Sequence, residues 1–115
     1  MINRKEDCKV EVREKMRDGA GSVQLTHFAG SAELNDKGRL FAKITLQPGC
    51  GIGYHVHEKD SELFYILSGT AKYNDNGVDV TVSAGDVTIT PAGQGHSIHN
   101  EGTEVVELVA VIVYA

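Results

Sequence analysis

His55 and His57 stand two apart within residues 49–69, G-C-G-I-G-Y-H-V-H-E-K-D-S-E-L-F-Y-I-L-S-G, so an extended strand sends both imidazoles to one face. Glu62 opens a run of strand formers at 63–67, and His96 follows a Pro-Ala-Gly-Gln-Gly turn in residues 85–100. Three imidazoles and one carboxylate suit a divalent transition metal such as Mn, Fe, Ni, Co or Zn, with positions left for water or substrate. A lone histidine is more often a surface or hydrogen-bonded residue than a ligand. Two at i and i+2, joined by Glu62 and His96, make a shared metal site the better reading. An inward Glu62 brings Phe64 and Ile66 inward too, and His96 brings Ile98 and Asn100 to its own side. The site then lies in a largely apolar pocket, where an unpaired carboxylate is costly and a metal ion compensates it.

The elements that must position these groups are short strands. Residues 23–28 alternate apolar and polar, and 40–46 put Leu40, Ala42, Ile44 and Leu46 on one face. Residues 71–73 and 78–82 flank Asn76-Gly77, a strong hairpin signal. Residues 87–90 and 105–114 complete the set. Strands spaced about 8–12 residues apart, with no convincing helix, predict an all-β sandwich or barrel. We expect one domain over 1–115, with 1–22 as an N-terminal arm or strand and 23–115 as the barrel. Within the arm, 10–13 alternate like a strand, whereas 13–17 equally fit the start of a helical turn. The last strand is apolar on both faces except at Glu107, so both sides require cover. In a chain of 115 residues that cover is expected from a second copy, which predicts a homodimer.

Composition narrows the function further. A net charge of −5, with the basic residues near the start interleaved with acidic ones, argues against a nucleic-acid surface. No apolar run approaches the ~20 residues of a membrane span, and the charged N-terminus has no apolar core behind it. Cys8 and Cys50 form no Cys-x-x-Cys pair and read as free thiols of a cytoplasmic protein. Cys50, in the loop before the histidines, reads as a loop residue because the four candidates already fill the ligand role.

Two spacings carry a family resemblance. G-x5-H-x-H-x4-E-x6-G is met by Gly49, His55, His57, Glu62 and Gly69; G-x5-P-x-G-x2-H-x3-N is met by Gly85, Pro91, Gly93, His96 and Asn100. The chain resembles a small single-domain cupin at every position of both motifs. The resemblance implies a double-sheet antiparallel β-barrel of the jelly-roll type, with His55, His57, Glu62 and His96 as the metal ligands. Gly49, Gly69 and Gly85 fall at turns, and Gly93 is expected to permit a tight approach before His96. Asn100 is expected to be structural, hydrogen-bonding near its turn.

Such a site supports dioxygenase, decarboxylase or isomerase chemistry on a small carboxylate, carbonyl or sugar-like substrate in the barrel pocket. The alternative is a non-catalytic module that binds a small molecule through its metal. No catalytic residue is assigned; Glu58, Asp60 and His27 are the acid or base candidates by position. His99 should face away from His96, and His27, His99 and Lys43 read as surface polar groups. Tyr54 and Phe64 are candidates for the pocket mouth, with core the commoner role for an aromatic in a barrel. A pocket lined with Lys or Arg would favour a dicarboxylate, and an apolar one an aromatic or lipid-like ligand.

Overall fold

The computed structural model describes all residues, Met1–Ala115. Ten strands run as β1 (Lys9–Glu14), β2 (Ser22–Ala29), β3 (Gly38–Leu46), β4 (Gly51–Val56), β5 (Asp60–Ser68), β6 (Thr70–Asp75), β7 (Val78–Ser83), β8 (Val87–Thr90), β9 (Gly95–His99) and β10 (Val106–Tyr114). They form a six-stranded sheet in the order β1-β2-β3-β10-β5-β8 and a four-stranded sheet in the order β4-β9-β6-β7. All the pairings are antiparallel. The expected jelly-roll architecture is what the strands build. No helix is long and apolar enough to cross a membrane.

Alternation decides what lies between the sheets. Along β3, Leu40, Ala42, Ile44 and Leu46 are all buried, as the sequence pattern requires. They meet Leu108, Ala110 and Ile112 of β10 and Val23 and Leu25 of β2. From the smaller sheet Ile52, Ala71, Tyr73, Val82 and Ile98 close the same 17-residue core. The β6–β7 hairpin turns at Asn76 and Gly77, both with positive φ (49° and 102°), as a type I′ turn needs. The segment left open between strand and helical turn resolves into both. β1 runs to Glu14, and a 3-10 turn follows at Met16–Asp18.

The outer face of the larger sheet is less well covered. On β10 Val106, Leu108, Ala110 and Ile112 are buried, whereas Glu107, Val109 and Val111 are only half-buried. Beside them Tyr65, Val87 and Ile89 are 47%, 56% and 62% exposed. One chain therefore satisfies only one side of its most apolar strand. Lys43 lies on this outer face and pairs with Glu107 at 3.1 Å, the solvated role expected of it. His99 is half-buried and faces away from the core, also as expected.

Asn100 is structural, as the sequence suggested. Its buried amide Nδ2 donates to the Leu46 carbonyl (2.9 Å) and the Glu104 carbonyl (2.8 Å), while Oδ1 accepts the Gly102 N–H (3.0 Å). Asn100→Ala strands these groups and should cost about 1–3 kcal/mol. A urea titration would read this as a lower midpoint with an unchanged slope, and an unchanged midpoint would contradict the assigned role.

Candidate metal centre

β4 is bent so that its first histidine faces inward. Ile52 opposes Ile98 and His55 opposes His96, so Gly53 and Tyr54 together stand against Ser97 alone. This bulge reverses the alternation and brings Ile52 and His55, which a regular strand would place on opposite faces, to the same inner side. Gly53 is the residue the bend demands. A Cβ there would collide with the Arg17 carbonyl oxygen, because the Met16–Asp18 turn lies directly across it. Tyr54 is turned outward, 50% exposed, with its ring over Gly95. It neither shapes the mouth nor joins the core, because the bulge gives the inward place to His55.

His57 lies just past β4 and is held by backbone. Its N–H donates to the Gln94 carbonyl (2.9 Å), and its carbonyl accepts the Gly93 N–H (2.6 Å). Gly93 serves here through its φ of +93°; a Cβ at that position would meet nothing within 4 Å, so close approach is not the reason for glycine. On β5 the period of two turns Asp60, Glu62, Phe64 and Ile66 inward in succession. Phe64 is core and stacks on the His96 ring, with centroids 5.0 Å apart.

The four side chains singled out in the sequence converge. His57 Nε2 lies 3.1 Å from the Nε2 of both His55 and His96, and 3.1 Å from Glu62 Oε1. His96 Nε2 is 2.9 Å from the same oxygen, and one donor atom from each of the four lies within 4.8 Å of every other. His55 Nδ1 faces the Gly53 carbonyl at 2.8 Å and His57 Nδ1 the Asp60 carboxylate at 2.7 Å. Both partners only accept, so the hydrogen of each neutral ring sits on Nδ1 and Nε2 offers its lone pair. His96 Nδ1 is engaged by the Tyr73 hydroxyl (2.7 Å) and Thr90 Oγ1 (2.9 Å). Lone pairs pointed at one another at this distance repel unless a cation or proton lies among them. Separations near 3 Å also match neighbouring donors around an ion with bond lengths of about 2.1 Å. The residues present fit a divalent transition metal.

The electrostatics agree. Burial works to raise the Glu62 carboxyl, but the three imidazoles outweigh it and keep the group ionised. The Glu62 carboxylate in turn raises His57, against the effect of burial and with help from Asp60, whereas burial lowers His96. Burial also pushes Asp60 upward, yet Arg39 at 2.9 Å and His57 bring it below the usual carboxylate range.

Above the cluster is a cavity of about 110 Å³, with His55, His57 and Glu62 at one end. Leu25, Leu40, Ile44, Ile52 and Ile112 form apolar wall, and Met16 closes it from the 3-10 turn. Arg13, Arg17, Arg39 and His27 supply the polar remainder. Arg39 gets there through irregular pairing: Ile112 opposes Leu40 and Val113 opposes Gly38, leaving Arg39 unpaired and free to reach Asp60. Of the acid or base candidates, Asp60 is buried against His57, His27 is on the cavity wall, and Glu58 is exposed. Cys50 is a free thiol outside the cluster. The three arginines and the buttress of Tyr73 and Thr90 were not anticipated. Asp60 shares the parity of Glu62 and could have been read as inward from that alone.

A pH dependence and a mutational effect follow. Protons compete with a metal for the Nε2 lone pairs, and the raised His57 keeps its proton to a higher pH than an ordinary imidazole. As pH drops, metal affinity should therefore start to fall above the ordinary imidazole value of about 6.5 and drop steeply below it. Equal retention at pH 7.5 and 5 in a chelator competition would contradict a mainly histidine site. Asp60→Asn removes the carboxylate that orients His57 and should weaken metal binding about 10–100-fold in the same assay, while leaving the fold intact.

Comparison with known proteins agrees with this geometry. Residues 42–112 match the cupin domain family. An oxalate-binding protein of Thermotoga maritima is 41% identical over 113 residues, 98% of this chain and 93% of that protein. A crystal structure from the same organism, described as a predicted oxalate decarboxylase, superposes with a TM-score of 0.95 at 40% identity, covering 100% of both chains. A conserved protein with a double-stranded β-helix domain from Klebsiella pneumoniae gives 0.62 at 32% identity, over 65% of this chain and 66% of that one. Fold, clustered side chains and sequence agree that this chain belongs to the cupin family.

Proposed function

We propose that the chain binds a small chelating dicarboxylate of the oxalate class on one divalent transition metal (Mn, Fe, Ni, Co or Zn) held by His55, His57, Glu62 and His96. The observation that carries this reading is the cavity. Its volume of about 110 Å³ holds about three or four waters, which suits a ligand of few heavy atoms and excludes a sugar chain or lipid. Arg13, Arg17 and Arg39 are among its lining residues. Arg13 and Arg39 are matched by Glu11 and Asp60, whereas Arg17 has no carboxylate partner. Planar guanidinium groups pair with carboxylates in two-point geometry. A bound divalent ion would supply Lewis acidity toward ligand oxygens. The chain's own residues then orient the ligand from the arginine side and exclude water with Met16 and the leucine and isoleucine wall. The Thermotoga maritima relative named as oxalate-binding supports the same ligand class.

Turnover is the second reading, supported by the relative described as a predicted oxalate decarboxylase and by an imidazole, His27, on the cavity wall. His27 Nε2 and Glu11 Oε1 are 2.8 Å apart, and neither belongs to the metal cluster. Hydrogenoxalate splitting to formate and carbon dioxide breaks one C–C bond and places one proton on carbon, with no net redox change. The proton comes from hydrogenoxalate itself, and an imidazole near the metal cluster is suited to relay it from oxygen to carbon. We further propose that residues 1–115 fold as one unit and associate as a cytoplasmic homodimer. The half-covered outer side of β10 and the two free cysteines support this.

Calorimetric titration decides the main point. Oxalate should bind metal-loaded protein with about one site per chain and bind metal-free protein far more weakly, and acetate should bind the loaded form weakly. Equal oxalate binding with and without metal, or none with metal, would overturn the proposal. Formate release from the loaded protein would select the enzyme over the binding module. Light scattering should give twice the 12.4 kDa chain mass at micromolar concentration, and a monomer would remove the dimer.

A further inference from the structure

β1 carries its charges on the unexpected side. Glu11 opposes Leu25 and Arg13 opposes Val23, both buried residues, so Glu11 and Arg13 face the barrel. The outward residues of the same strand are Val10 and Val12, 56% and 58% exposed. Beyond the cavity lies an outer groove of about 570 Å³, and Arg13, His27 and Arg39 line both spaces. These three side chains form the neck between groove and metal centre.

One carboxylate, Glu11, sits against that neck from the outer groove. Glu11 accepts from Arg13 through both oxygens, Nε to Oε2 at 3.0 Å and Nη2 to Oε1 at 3.3 Å. Its Oε1 is also 2.8 Å from His27 Nε2. The Arg13 guanidinium, followed by His27, holds this carboxyl down at about 2, so it is anionic across the working pH range. The Arg13 and Glu11 side chains are 44% and 32% exposed, and exchange with a solute anion costs little.

Building on the proposed dicarboxylate function, we propose that Glu11 is a built-in competitor for the ligand. It occupies the carboxylate seat formed by Arg13 and His27 at the neck, and an incoming dicarboxylate displaces it on the way to the metal. Glu11 thereby sets the affinity and the entry rate for small dianions, while Arg13 is the residue that selects for their charge. No covalent step is involved.

The test uses the full chain with Glu11→Gln, Arg13→Gln and the double variant, and oxalate as the probe. In the metal-loaded form Glu11→Gln should tighten oxalate binding and speed association by about two- to fivefold, the size expected for release of one exposed ion pair. Arg13→Gln should weaken binding, and the double variant should lose the gain. A second readout needs no metal: NMR of the His27 ring during oxalate titration should respond at several-fold lower oxalate in Glu11→Gln than in wild type. If the loaded wild type fails to bind oxalate, the dicarboxylate function fails, and the His27 titration still decides the role of Glu11. Equal or weaker responses in Glu11→Gln, in either readout, would overturn the competitor role.

Discussion

Three imidazole nitrogens and a carboxylate oxygen converge within 4.8 Å of one another inside an apolar barrel, an arrangement that a bound divalent cation would complete. Much of the neighbouring structure maintains that convergence. Gly53 and the β4 bulge turn His55 inward; the backbone clasp between His57 and residues 93–94 fixes the distance to the loop leading to His96. Gly53 carbonyl, Asp60, and Tyr73 with Thr90 each engage one Nδ1 and so set the ring orientations. The Asp60 carboxylate is itself held by Arg39, which links the candidate metal site to the cavity mouth through one continuous chain of charge-assisted bonds.

The cavity follows from the same construction. Because the four donors gather below the cavity, the space above them is left to apolar side chains of both sheets and to the 3-10 turn that carries Met16 and Arg17. That turn has left-handed backbone at Lys15, Arg17 and Asp18, with φ of 48°, 54° and 62°. Bonds from Lys15 N–H to the Gly21 carbonyl (2.8 Å) and from Gly51 N–H to the Ala20 carbonyl (3.0 Å) hold the strap against β4. Small volume, an apolar wall and arginines at the rim, two of them paired with carboxylates, are the features on which the proposed ligand class rests.

The sequence made the barrel, the convergence of His55, His57, Glu62 and His96, and the face of β3 legible because each follows from a period of two or from motif spacing. It also anticipated the structural role of Asn100 and the outward positions of Lys43 and His99. What it hid were departures from that period. The bulge at Gly53–Tyr54 sent Tyr54 outward, and the irregular pairing at Arg39 turned a nominally outer residue toward Asp60. Neither irregularity leaves a signature beyond glycine content. The inward charges of β1 were hidden for a different reason. An interleaved run of acids and bases reads as a solvated face, and only pairing with β2 shows that Glu11 and Arg13 face the barrel.

The most direct measurement is elemental analysis of the protein expressed in medium supplemented with transition metals, beside a His57→Ala control whose fold is verified by circular dichroism. The geometry predicts about one divalent transition metal per wild-type chain and its loss in the control. A folded wild-type protein carrying no stoichiometric metal, or a control that retains it, would contradict the metal centre on which the account rests.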